Sequence, residues 1–310
     1  MEEEYYEQKK TCKTVSLAIL CKVIMESIVA VPCVFLVGVF VGVINSENML
    51  KEPNDLVMNI VSGIAIITST IFVVKWFSRS SQLKIVVRNK EKKYPIKRML
   101  YFTLLAMGIS SLVSYLFAGV QYLLEPTGLV FTTQSFELDT SLANNIVQIL
   151  LVCVVAPIFE EYLFRGYILG TLKKYGTVFA IVISAFVFSL MHGNLVQSLP
   201  TFFIGIVLAY VTIESGSLLP AICIHFINNT FAITELNYIN SNQICFAIFT
   251  LIEIGLLVFA VIVIWRNRNK IKAYKDENLG IQLRVFFKNW ASILLIIIMV
   301  LTSLTFIELP

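Results

Sequence analysis

Two adjacent glutamates, an arginine one helical turn on, two histidines and an asparagine are the residues of this 310-residue sequence best suited to chemistry. They occur as Glu160-Glu161 with Arg165, as His192 four residues after Phe188, and as His225 four residues before Asn229. His192 and His225 are the only histidines in the chain. A carboxylate withdrawn from water is a competent general base, and imidazole and amide groups can stabilise a developing oxyanion. The set therefore suits hydrolysis of an acyl bond by an activated water. Glu161 and Arg165, at i and i+4, share a helical face and can neutralise each other as a structural pair. Glu160 points about 100° away and is left free for chemistry. Pro157 cannot donate a backbone hydrogen bond and should bend the helix just before the glutamates.

The elements that must position these residues lie in a membrane. The chain is 57% hydrophobic and 14% charged, where a soluble domain is about 25% charged. That composition excludes a disordered chain, a disulfide-stapled secreted module and a globular cytosolic enzyme. Its apolar blocks make about eight or nine spans of a bilayer core roughly 30 Å thick. They are Val15–Ile44, Leu56–Phe77, Met99–Leu124, Asn145–Leu172, Thr177–Met191, Pro200–Ile213, Leu218–Ile233, Gln243–Trp265 and Trp290–Ile307. The expected fold is an all-α polytopic transmembrane helical bundle. Residues 1–142 would form N-terminal membrane helices, 143–234 a catalytic core and 235–310 the C-terminal membrane helices. Lys22 and Glu26, at i and i+4, should pair on the first span.

Charge predicts the orientation. Ser78–Arg98 carries Arg79, Lys84, Arg88, Lys92, Lys93, Lys97 and Arg98; Arg266–Lys288 is also basic, and Lys173 and Lys174 mark a positive turn. Asn45–Asp55 and Glu125–Ser141 lean acidic. The positive-inside rule then puts the N-terminus in the cytoplasm of a multi-pass cell-membrane protein. No basic tract stands apart from span flanks, so nucleic acid is not an expected partner. The acidic start, with no small-residue cleavage site after the first apolar run, argues against a removable signal peptide. The six cysteines match no zinc-knuckle or CxxC spacing and are read as buried thiols.

Depth links the motifs. At about 1.5 Å per residue, Glu160 lies about 20 Å from the Lys173 turn and His192 about 25 Å along the next helix. His225 and Asn229 lie about 14 and 20 Å from the turn near Gly216. Ionisable groups at such depth are costly and mark functional sites by default.

Glu160-Glu161-x-x-x-Arg165, Phe188-x-x-x-His192 and His225-x-x-x-Asn229, in this order and in successive membrane blocks, resemble the three motifs of the CPBP family. That family comprises CAAX prenyl endoproteases and bacteriocin-processing enzymes, is also called Abi, and includes lysostaphin-resistance-protein-A-like members. The similarity covers about 145–233. It implies an intramembrane endopeptidase acting on a peptide or membrane-associated protein. Glu160 and His192 would activate water, and His225 and Asn229 would stabilise the oxyanion. Glu161, Arg165 and Phe188 would support the site.

Whether a metal takes part stays open at this point. Glu160, His192 and His225 could ligate zinc with an open water position, and the family is often described as metalloproteases. Yet there is no HExxH, and an asparagine amide is a poor zinc ligand. Asp55, Asp139 and Asp276 lie in loops or at span edges, which removes an aspartyl dyad. Two rival classes remain. One is a non-proteolytic protein that regulates a membrane partner, such as a sensor kinase or a bacteriocin or cell-wall system. The other is a proton-coupled transporter, which should show paired repeats with broken helices.

Overall fold

A computed structural model describes residues 2–44, 55–79, 85, 87, 93–134, 136–138, 140–238, 242–273 and 277–308. Most of the acidic Asn45–Asp55 connection lies outside the described residues, as does much of the basic Ser78–Arg98 segment with Lys84, Arg88 and Lys92. Asp139 and Asp276 lie outside them as well.

Ten helices account for nearly all of the described chain, as the apolar blocks require. They are α1 (Glu2–Ile44), α2 (Asp55–Ser78), α3 (Ile96–Leu124), α4 (Leu142–Tyr175), α5 (Thr177–Leu190), α6 (Leu195–Ser215), α7 (Leu219–Tyr238), α8 (Gln243–Ala273), α9 (Leu279–Phe287) and α10 (Trp290–Leu304). Two short strands, β1 (Val130–Phe131) and β2 (Ile307–Glu308), pair antiparallel and tie the α3–α4 connection to the chain's last turn. Helix ends follow ordinary capping chemistry. Ser141 Oγ accepts from Asn144 N at 3.3 Å to start α4, and Asn194 Oδ1 accepts from Gln197 N at 2.9 Å to start α6. Gly216, at φ 65°, closes α6 in the left-handed region that a side chain disfavours.

The chain is an all-helical, multi-pass membrane protein. Among the described residues, six helices are long and apolar enough to cross a bilayer, seven if α9 and α10, bent by 71°, make one broken span. The sequence-based expectation of eight or nine is too high for two physical reasons. α5 has 14 residues and is about 21 Å long, short of the hydrocarbon thickness. α7 carries His225, Asn228, Asn229, Thr230 and Glu235 along its length, which dilutes its apolar character. Large apolar side chains such as Leu123, Leu251 and Trp265 are exposed on the spans, as a lipid-facing surface demands.

The core lies where α4 and α5 meet α1, α2, α9 and α10. Phe164, Tyr167, Phe179, Phe188, Phe286 and Ile19 are fully buried there. Lys22 and Glu26 form the expected ion pair on α1, and Ser69 of α2 donates to the same carboxylate at 3.4 Å. α1 also packs against α10. Ser16 and Ser292 share a hydrogen bond of 2.8 Å, and Asn289 Nδ2 donates to Lys9 O at 2.9 Å. Of the cysteines, Cys12 and Cys153 are buried, while Cys21, Cys33, Cys223 and Cys245 are only half-buried. The last four correct the expectation of buried thiols, although Cys21 still packs against the core.

α3 and α8 cross at Gly108, where a Cβ would stand 2.1 Å from the Leu256 carbonyl oxygen. Two turns along α3, Tyr115 Oη donates to the buried Glu253 at 2.7 Å. Backbone cannot yield as a flexible side chain does, so Gly108→Ala must push the two helices apart. It should cost about 1–3 kcal/mol, read as a lower melting temperature of the detergent-solubilised protein. An unchanged melting temperature would show that the crossing is loose.

Candidate active site

The Glu160–Glu161 pair sits on α4, a helix that changes its hydrogen-bond register twice. Leu150–Val155 and Tyr162–Leu169 are π-helical and flank the α-helical Ala156–Glu161. Proline explains the first change. Ala156 N donates to Leu151 O, five residues back. The next bond in that register would run from residue 157 to Val152 O, and Pro157 has no N–H to give. Asn229 Nδ2 of α7 donates to Val152 O instead, at 3.0 Å. The expected bend at Pro157 is thus realised as a shift of register within one helix, with the orphaned carbonyl satisfied by a neighbour. In the second π segment, Ser184 Oγ of α5 donates to Phe164 O at 2.8 Å.

Glu161 is wholly buried and collects two donors on one oxygen. Arg165 Nη1 stands 2.9 Å from Glu161 Oε1, the ion pair expected from the spacing. His225 Nδ1 stands 2.9 Å from the same oxygen. Arg165 Nη2 also donates to Gly205 O of α6 at 3.2 Å, and the guanidinium lies over the Phe188 ring at 4.3 Å. A Cβ at residue 205 would come within 3.2 Å of Arg165 Nη2 and 3.0 Å of Ala185 Cβ. Glycine therefore lets α6 approach closely enough for its carbonyl to meet the arginine. Glu161 Oε2 and Arg165 Nε have no hydrogen-bond partner among the described residues.

Glu160 is turned elsewhere, as its 100° offset required. Its Oε2 stands 3.7 Å from His225 Nε2, and its side chain is 26% exposed. One imidazole thus bridges the two glutamates, Nδ1 to the sealed one and Nε2 to the accessible one. Because a carboxylate held by arginine accepts, His225 Nδ1 carries a proton, and Nε2 is the nitrogen turned to the Glu160 side. His192 lies in the turn after α5, and its Nδ1 stands 3.1 Å from Phe188 O. A carbonyl only accepts, so that nitrogen also carries the proton, leaving Nε2 as an acceptor.

Phe188 packs between the two imidazoles, edge-on to His192 at 5.1 Å and to His225 at 5.6 Å between ring centroids. It holds both rings as well as the guanidinium. An apolar cavity of about 320 Å³ runs alongside, lined by Ile71, Lys75, Ile158, Phe159, Tyr162 and Ile222. Ile158, Phe159 and Tyr162 share one face of α4, so the cavity opens on a different side of that helix from Glu160.

All seven residues singled out in the sequence fall in this region. Glu160, Glu161, Arg165, His225 and Phe188 form one contact network; Asn229 reaches it through Val152, and His192 through Phe188. Sequence reasoning missed Gly205, Ser184 and Val152, which act through backbone carbonyls or a single hydroxyl and carry no motif. It also missed Asn194, which donates to His192 O at 3.0 Å. Its place as a helix-capping asparagine just after His192-Gly193 was a usable signal.

The zinc possibility can be weighed on the donors. Glu161 and His225 Nδ1 are turned to each other, and His192 Nδ1 is turned to a carbonyl. Among the described residues, no three His, Cys, Asp or Glu side chains form a group that could hold a metal ion. The donors left open are the Glu160 carboxylate and the Nε2 atoms of His192 and His225, whose Nδ1 atoms are held by Phe188 O and Glu161.

The resemblance drawn from the three motifs holds. Residues 142–231 match the family model described as type II CAAX prenyl endopeptidase Rce1-like. Every site residue above lies inside that segment. The chain is also 25% identical over 224 residues to the Bacillus subtilis (strain 168) protein named "Putative membrane peptidase YdiL", covering 69% of this chain and 86% of that one. No solved structure matches the chain. Residues 142–231 thus resemble a CAAX prenyl endopeptidase, and the Bacillus relative is named a putative membrane peptidase.

Proposed function

We propose that this chain, with its Rce1-like core, is an intramembrane endopeptidase that hydrolyses a peptide bond of a peptide or membrane-associated protein. The observation that carries the reading is His225 standing between Glu161 at 2.9 Å and Glu160 at 3.7 Å. A water between Glu160 and His192 Nε2 gives up its proton to Glu160 while its oxygen attacks the scissile carbonyl. The proton moves across the short gap to His225 Nε2, and the resulting imidazolium is held by Glu161 on its other nitrogen. This is the logic of an orienting carboxylate behind a histidine. Nε2–H then faces the tetrahedral oxyanion and later delivers its proton to the leaving amine as the C–N bond breaks. Asn229 spends one amide hydrogen on Val152 O and keeps the second for the oxyanion.

In this reading the side chains supply the chemistry without a resident metal. The accompanying orientation, from the Lys and Arg of 78–98 and 266–288, puts the N-terminus in the cytoplasm; an N-terminal reporter active only outside the cell would reject it. Comparative peptidomics of membranes carrying the wild type or Glu160→Gln tests the function and finds the substrate together. Cleavage products present only with the wild type are expected; identical peptidomes at equal expression would reject the protease reading. Elemental analysis of the purified, active protein should find well under one metal ion per chain, and stoichiometric zinc would reject the metal-free mechanism.

A further inference from the structure

A hydrolase whose carboxylate sits at membrane depth must be supplied with water, and the polar side chains beyond the site form a file that could carry it. Asn59 Nδ2 of α2 donates to Asn144 Oδ1 at the start of α4, at 2.8 Å. Asn144 and Gln148, one turn apart, are both buried, at 3% and 7% exposure. Gln148 has no hydrogen-bond partner among the described residues. One further turn along α4 is Val152, whose carbonyl takes Asn229 Nδ2 at 3.0 Å. Asn229 is one turn from His225, and His225 Nε2 is 3.7 Å from Glu160. Each step is a single helical turn or a direct contact, and the file covers about 24 Å along α4.

The Gln148 amide is not among the fully sealed, unpartnered polar atoms, so it keeps some accessible surface, where water can complete its bonds. Gln148 offers two donors and an acceptor, enough to hold a water on each side of it. The lipid-facing surface of the same turns is apolar, with Ile146 and Leu150 exposed. The polarity is thus confined to the inward stripe that leads to the glutamates.

We propose that Asn59, Asn144, Gln148 and Asn229 form a water route from the end of the bundle bearing the α3–α4 connection to Glu160. It rests on the hydrolytic reading for its purpose, though not for its existence. Water enters beside Asn59 and Asn144, is relayed by Gln148, and reaches the pocket at Asn229.

Thiol labelling in intact membranes tests the route without a substrate. Membrane-impermeant thiosulfonates need a thiolate, which forms in water and not in hydrocarbon. The cysteine of Gln148→Cys should therefore react at least about tenfold faster than that of Ile146→Cys. Site-resolved mass spectrometry separates both from the six native cysteines. The same contrast is expected in a Glu160→Gln background, so labelling decides the route even where hydrolysis fails. Equal, slow modification at both positions would overturn the proposal. Gln148→Leu supplies a second readout. With no partner to lose, it should keep or raise the melting temperature while lowering turnover about tenfold. Unchanged turnover would also overturn the route.

Discussion

Glu160→Gln should lower kcat/KM by about 10³-fold in purified protein, within the range of lost general-base catalysis, with the melting temperature unchanged. Glutamine has nearly the same volume and can still face His225, so packing is preserved. It cannot take the proton of the attacking water, and it cannot pass one to His225 Nε2. The carboxylate is 26% exposed and is not part of the sealed ion pair, so neutralising it leaves no buried charge behind. His225→Ala should be comparably inactive but less stable, because it also strips a donor from buried Glu161. The two variants together should be no worse than the poorer one, since they act on one proton path. The assay is cleavage of a peptide found by the peptidome comparison. A Glu160→Gln enzyme retaining a tenth or more of wild-type kcat/KM would show that another group is the base.

Arg165→Leu is the substitution expected to damage the fold most. It leaves Glu161, fully buried, with only His225 as a partner, and it takes a donor away from Gly205 O. Removing one partner of a buried ion pair costs about 3–5 kcal/mol, largely because the remaining charge is stranded. It also empties the space over Phe188 that the guanidinium fills at 4.3 Å. Glu161→Leu combined with Arg165→Leu should recover most of that loss, as apolar replacement of a buried pair commonly does. It should not recover activity, because His225 Nδ1 then has no acceptor to fix its proton. Thermal unfolding and turnover measured on the same preparations separate the two effects. A double variant as unstable as the single one would mean that the pair's net attraction outweighs its desolvation.

The parts of this site that were legible in the sequence are those whose partners share a helix. The spacing of Glu161 and Arg165, or of Lys22 and Glu26, states the pair outright because one turn of helix brings them together. Membership of the site was legible too, since so few ionisable groups occur in the apolar blocks. What the spacing could not state is that His225 reaches Glu161 rather than only an oxyanion. Those residues are 64 apart, and the contact depends on how α7 packs against α4. Nor do π-helical turns have a pattern of their own. Pro157 signals a missing donor, but Asn229 as the replacement emerges only from the packing. Glu253 went unremarked because its partner, Tyr115, lies on another helix. The overcount of spans has another origin: α5 is apolar but short, and α7 is long enough but diluted by polar side chains.

The contact between α1 and α10 bears on how the protein is made. Ser16 finds Ser292 across 276 residues, so α1 leaves the ribosome well before its partner α10. At about 5–20 residues per second the gap is roughly 15–55 s. Through that interval the face of α1 around Cys12 and Ser16 has only part of its final cover. A nascent chain stalled before residue 290 would hold the glutamate–histidine site complete while α1 still lacked that partner, giving membrane quality control a surface by which to recognise unfinished molecules.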